Sequence, residues 1–170
     1  MGRYFFAIWP DDAVRSQLEA VSDRLPAGCG RSVRIGNLHI TLVFLGNVEQ
    51  SVMERIRLEA DGVHCGKFAL TLDRHGWWRR PQVIWLGSDT VPVALEDLAA
   101  RLNAIAAGHG LRIDSRPYTP HLTLVRKAKR PLTRFTYSPI HWEIRDFCLV
   151  QSVTHADGAE YKIIQNWPLT

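Results

Sequence analysis

A chain of 170 residues, 46% hydrophobic and 22% charged, is long enough to bury a sizeable core, and its balance excludes disordered and fibrous classes. The formal net charge of +4 favours an anionic partner only weakly, because many soluble proteins carry a similar excess of Lys and Arg. Cys29, Cys65 and Cys148 are widely spaced and lack the C-x-x-C spacing of a zinc or redox pair, so they read as reduced thiols in a cytoplasmic protein. The apolar run at residues 4–9 is too short for a signal sequence or a membrane span, and no membrane association is expected.

In chain order, residues 3–9 are aromatic and β-rich and predict a buried first strand that stops at Pro10. Asp11 or Asp12 is placed to cap a helix in which Val14, Leu18, Val21 and Leu25 recur at helical spacing. Glycines at 28 and 30 mark a loop, and residues 31–35 predict a short strand leading into residues 37–46, a strand described below. Ser51 is expected to cap a second helix that runs to Val63, with Val52, Met53, Ile56 and Ala60 on one side.

Strands are predicted over 68–72 and 83–86, separated by residues 75–81, an aromatic and basic stretch expected to be a turn or exposed ribbon. A third helix spans residues 91–107, and residues 115–118 lead into a further strand at 120–126. The basic, proline-interrupted residues 127–134 predict a surface loop. Two final strands, 142–150 and 161–167, are joined through the turn signal Asp157-Gly158. No linker or repeat array divides the chain, so residues 1–170 are expected to form one domain.

Two of these strands share an unusual pattern. In Asn-Leu-His-Ile-Thr-Leu-Val-Phe-Leu-Gly at 37–46, strict alternation puts His39 and Thr41 on one face with Val43, and Leu38, Ile40, Leu42 and Phe44 on the other. In Pro-His-Leu-Thr-Leu-Val-Arg at 120–126, His121 and Thr123 share one face, and Arg126 falls on the opposite one. One strand histidine is ordinarily a structural residue. The same His-x-Thr arrangement in each half of the chain has to be explained as a pair, and it points to an ancient duplication.

Paired imidazoles suit the hydrolysis of a phosphodiester, which needs a base for the nucleophile and an acid for the leaving oxygen, because histidine titrates near neutrality. A threonine hydroxyl two residues along can donate to a non-bridging phosphate oxygen. Arg126 is a further candidate phosphate contact, and Phe44, Trp77 and Trp78 are candidates to stack a base. The remaining histidines show no metal-ligand spacing, and neither a Gly-rich ATP loop nor a G-x-S-x-G elbow is present, so neither metal nor cofactor is expected.

These motifs, with residues 3–9, 82–87, Gln151-Ser152 and Gly158-Ala159-Glu160-Tyr161, resemble the two-histidine phosphoesterases, and within them the RNA 2′,3′-cyclic phosphodiesterases also called 2′-5′ RNA ligases. The resemblance implies a bilobal α+β fold with helices outside. Two antiparallel sheets would face each other across a central cleft about a pseudo-twofold axis, each contributing one His-x-Thr. By position it implies His39 as the acid protonating the leaving O3′ and His121 as the base activating water, with Thr41, Thr123 and Arg126 on the phosphate. It further implies metal-independent formation of a 2′-phosphate on RNA ends or nucleotides, and an ATP-independent reverse reaction that forms a 2′-5′ linkage. A monomer is expected. Two other readings stay open on sequence: a module that binds RNA ends without turnover, and a cyclic phosphodiesterase for a small molecule other than RNA.

Overall fold

The structure, a computed structural model, describes residues 1–156 and 158–170; Asp157, half of the expected Asp157-Gly158 turn, lies outside them. The first half contributes β1 (Gly2–Ile8), α1 (Asp12–Asp23), β2 (Arg31–Ser32), a 3-10 turn (Ile35–Asn37), β3 (Ile40–Val48) and α2 (Gln50–Ala60). Then come β4 (Phe68–Leu72), β5 (Arg74–Trp78), β6 (Val83–Gly87), α3 (Val93–Gly108), β7 (Leu122–Arg126), β8 (Ile140–Ile144), β9 (Asp146–His155) and β10 (Gly158–Pro168). The α+β class and antiparallel pairing implied by the resemblance are present. No helix among the described residues is long and apolar enough to cross a membrane.

Local chemistry accounts for the helices. The Asp11 carboxylate accepts from the Val14 N–H at 2.9 Å, satisfying a donor that helix α1 cannot pair internally, and Val14, Leu18 and Val21 are its buried stripe. Ser51 is not the cap of α2. The helix begins one residue earlier, behind Glu49, with no side-chain cap bond, and buries Met53, Ile56 and Ala60. Residues 75–81 are only partly a turn, because Arg74–Trp78 pairs with β6 along its whole length. The strand expected over 142–150 is interrupted at Arg145. Its first part, β8, pairs with β4 in a separate two-stranded sheet, and its second part, β9, pairs with β1.

The larger sheet has eight strands in the order β10-β9-β1-β3-β7-β6-β5, with β2 beside β7. Both His-x-Thr strands lie in it, which corrects the expectation of one motif in each of two facing sheets: the second sheet is only β4 and β8, and β3 and β7 are joined in the larger one at one pair of residues, Ile40 and Leu122. The strands run antiparallel and meet only at their first residues, so each half extends away from this junction. One face of the first half sends Phe6 and Ile8 into a large core with the helices; the other gathers Phe5, Ala7, Cys148 and Val150 under Trp9 and Tyr161.

The halves share one irregularity. Against β1, Phe6 pairs with Val43 and Ala7 with Thr41, so Leu42 is an extra residue on β3. Against β6, Ile84 pairs with Val125 and Trp85 with Thr123, so Leu124 is the extra residue on β7. A bulge of this kind resets alternation for every residue beyond it.

Close packing on the second half centres on Trp85, whose ring covers Gly76 so tightly that a Cβ there would overlap the indole. Gly76→Ala must therefore displace Trp85, and overpacking of this kind costs about 1–3 kcal/mol. Urea unfolding of the variant is expected to show that loss; an unchanged midpoint would contradict the packing described.

Candidate active site

The two bulges decide which side chains share the site. Phe5 and Ala7 lie on one face of β1, and their partners Phe44 and Thr41 therefore share a face on β3. Val83 and Trp85 likewise put Arg126 and Thr123 on one face of β7. The extra leucines, with Val43 and Val125, turn into the core. This corrects three placements made from strict alternation: Phe44 and Arg126 join the histidine faces, and Val43 leaves them. Phe44 and Arg126 occupy equivalent positions in the two halves, and Phe44 is 52% exposed, with the Arg3 guanidinium 5.4 Å from its ring centre.

Each imidazole is anchored the same way. His39 Nδ1 lies 2.7 Å from the carbonyl of Asn37, and His121 Nδ1 lies 2.8 Å from the carbonyl of Thr119, two residues earlier in both cases. A carbonyl only accepts, so each Nδ1 carries the proton and each neutral ring keeps its Nε2 lone pair. In His39 that nitrogen accepts from the Thr41 hydroxyl at 3.1 Å. The Ile40–Leu122 pair sits between the motifs, with a histidine on one side of it and a threonine on the other in each strand.

Burial is the main cause that lowers both imidazole pKa values, since a charged ring loses more on desolvation than a neutral one. The anchoring carbonyls oppose it, and the Arg126 guanidinium pushes both rings further down. His39 also feels the charge of His121, and its pKa falls to about 4. One guanidinium acting on both imidazoles shows that motifs about eighty positions apart in sequence form one electrostatic unit.

Aromatic rings fix the first histidine. Trp9 stacks on His39 with centres 5.1 Å apart and planes 2° apart, Phe5 stacks at 4.9 Å, and Tyr161 meets it edge-on at 5.3 Å. His121 is met edge-on by Trp78 at 4.5 Å, and Trp78 in turn leans on Trp85 at 5.1 Å. Trp77, the neighbour of Trp78, is turned the other way: its indole N–H donates to the Ala128 carbonyl at 2.9 Å, and its ring packs against the main core. Trp77 is therefore not available to stack a base.

Sequence reasoning missed Phe5, Trp9, Tyr118, Tyr161 and Trp85 as neighbours of the motifs. The Tyr118 hydroxyl donates to the Thr41 carbonyl at 3.1 Å, tying the segment before the second motif to the first motif strand. Burial raises the Tyr118 pKa, keeping the phenol protonated as a donor. Its place three residues before His121 was the available signal; for the others, nothing local indicates which strands become neighbours. His75, His109, His141 and His155 bond elsewhere, to a backbone carbonyl, a hydroxyl or surface carboxylates.

Two diverging half-sheets that carry matched His-x-Thr strands define the two-histidine class of phosphoesterase. The chain belongs to the 2′-5′ RNA ligase superfamily, whose family model matches residues 10–156. An Escherichia coli (strain K12) protein named RNA 2′,3′-cyclic phosphodiesterase is 35% identical over 99% of this chain and 97% of its own length. An Archaeoglobus fulgidus protein of the same name is 30% identical over 94% of this chain and 96% of its own. Among solved structures, E. coli LigT complexed with 3′-AMP superposes with a TM-score of 0.90 at 34% identity, covering 99% of this chain and 98% of that one. A crystal structure titled simply a phosphoesterase gives 0.91 at 34% identity, covering 100% and 99%.

The lowered pKa values have a measurable sign. The folded state disfavours the imidazolium, so stability from these rings is fully present above the ordinary pKa of 6.5 and is lost as pH falls towards about 4. A proton NMR titration is expected to place the His39 midpoint near 4 and the His121 midpoint below 6.5. Both rings titrating at 6.5 would mean the site is not buried as described.

Proposed function

We propose that this chain hydrolyses the 2′,3′-cyclic phosphate of RNA ends, leaving a 2′-phosphate. The observation that carries the reading is the pair of His-x-Thr strands joined at Ile40–Leu122, with both Nδ1 atoms committed to backbone carbonyls. Membership of the superfamily and relatives named for this activity support it. Residues 1–170 act in this reading as one two-lobed catalytic unit.

The phosphate sits between the two rings. His121 Nε2 takes a proton from water, the water oxygen bonds to phosphorus, the P–O3′ bond breaks, and His39 Nε2 delivers a proton to O3′. The Nδ1–H bonds to Asn37 and Thr119 hold both rings in the tautomer that keeps Nε2 for this exchange. Thr41, whose hydroxyl donates to His39 Nε2, turns to a non-bridging oxygen, and Thr123 does the same from the other strand. Arg126, brought onto this face by the bulge, balances the charge that grows on the phosphoryl oxygens.

His39 must carry two protons to act as the acid, and burial with Arg126 opposes that before substrate binds. An anion placed between the rings favours imidazolium, so the substrate itself raises the pKa of its acid. A 5′-hydroxyl in place of water, losing its proton to His121 as its oxygen bonds to phosphorus, breaks the same P–O3′ bond, and O3′ takes its proton from His39; the product is a 2′-5′ linkage made without ATP.

In excess chelator, adenosine 2′,3′-cyclic phosphate is expected to give the 2′-monophosphate, identified by chromatography against both isomers. Exclusive 3′-phosphate or no turnover would overturn the reading, the latter in favour of an RNA-end binding module. His39→Ala and His121→Ala each remove a proton-transfer group and are expected to lower kcat roughly 10²–10⁴-fold. Arg126 holds both imidazoles down, so Arg126→Gln is expected to shift the acidic limb of the kcat/KM profile to higher pH besides lowering the rate. A rate loss with an unmoved limb would show that Arg126 acts elsewhere.

A further inference from the structure

Beyond Arg126 the second half carries charge that the proposed chemistry does not use. The chain has 17 Asp and Glu residues, yet residues 74–88 and 115–142 contain none. The fold brings these two stretches together. Val83 pairs with Arg126, and the Ala128 N–H donates to the Gln82 carbonyl at 2.9 Å. Ala128 also accepts the Trp77 indole N–H and is fully buried, so Lys127 and Lys129 on either side of it stand in solvent. Their neighbours are Arg79 and Arg80, in the turn between β5 and β6, and Arg130. Gln82 and Lys127 both adopt positive φ, 66° and 56°, held there by the packed turn.

All five of these cationic residues are exposed, and among the described residues none forms an ion pair. Arginines elsewhere on the surface do: Arg74 with Asp89, Arg116 with Asp114 and Arg145 with Glu143. A cluster of unbalanced cations repels itself until an anion neutralises it. Its place is equally specific, because Trp78 touches His121 and is followed directly by Arg79 and Arg80. Moving outward from the histidine, one meets an aromatic ring and then a row of cations, the composition that holds single strands by base stacking and backbone charge.

We infer that this rim binds the sugar–phosphate backbone of a single-stranded RNA whose terminal cyclic phosphate lies between His39 and His121, so that the preferred substrate is a polynucleotide and not a mononucleotide. This rests on the reading of the site as a cyclic phosphodiesterase. An acidic polypeptide matches the charge but offers no planar base to Trp78.

The test compares a ten-nucleotide RNA ending in a 2′,3′-cyclic phosphate with the cyclic mononucleotide, in wild type and in the triple variant Arg79→Ala, Lys129→Ala, Arg130→Ala. Each single-strand phosphate contact contributes about 0.7 to the salt slope, so losing three is expected to flatten the slope of log kcat/KM for the decamer by about 2. The decamer rate in low salt is expected to fall on the order of tenfold, with the mononucleotide rate unchanged. Equal losses on both substrates, or an unchanged decamer, overturn the inference. Should wild type turn over neither substrate, the functional reading fails separately, and fluorescence anisotropy of the labelled decamer judges the rim: binding that the variant weakens supports it, and unchanged binding overturns it. Competition by polyglutamate as strong as by unlabelled RNA would assign the surface to an acidic protein instead.

Discussion

Each motif strand carries an extra, unpaired residue directly after its His-x-Thr triplet, and the composition of the site follows from where that residue sits. Leu42 and Leu124 occupy equivalent places just after the His-x-Thr triplets. Both turn inward with the valine that follows, and the next side chain returns to the histidine face. The first half receives Phe44 there and the second receives Arg126. Two strands with the same bulge thus carry an asymmetric pair of side chains, a ring on one side and a guanidinium on the other.

The junction between the halves is slight in hydrogen bonds and well defended in other ways. One ladder pair joins β3 to β7, where neighbouring strands elsewhere in the sheet share several. The buried Tyr118 hydroxyl adds a second tie, reaching from the segment ahead of His121 to the Thr41 carbonyl. Side-chain burial does the rest, since Ile40, Leu42, Leu122 and Leu124 belong to one core shared with all three helices.

Electrostatics and packing act on the same atoms. The rings around His39 exclude water from it, which makes its charged form costly and fixes its orientation together. His121 is held by one edge of Trp78 and its carbonyl anchor, and it faces a more cationic half of the molecule. In that half, residues 74–88 and 115–142 carry no acidic side chain.

Much of this was legible in the chain itself. Periodicity located the three helices, alternation and β-branched content located most strands, and the recurrence of His-x-Thr singled out the four polar side chains of the candidate site. Those signals are local: each depends on a few adjacent residues. The face taken by Phe44 and Arg126, the retreat of Trp77 and the arrival of Trp9, Phe5 and Tyr161 beside His39 were decided only by tertiary structure. A bulge exists only relative to a partner strand, and the partners of β3 and β7 lie dozens of residues away in sequence, so alternation counted along one strand has no means of registering it.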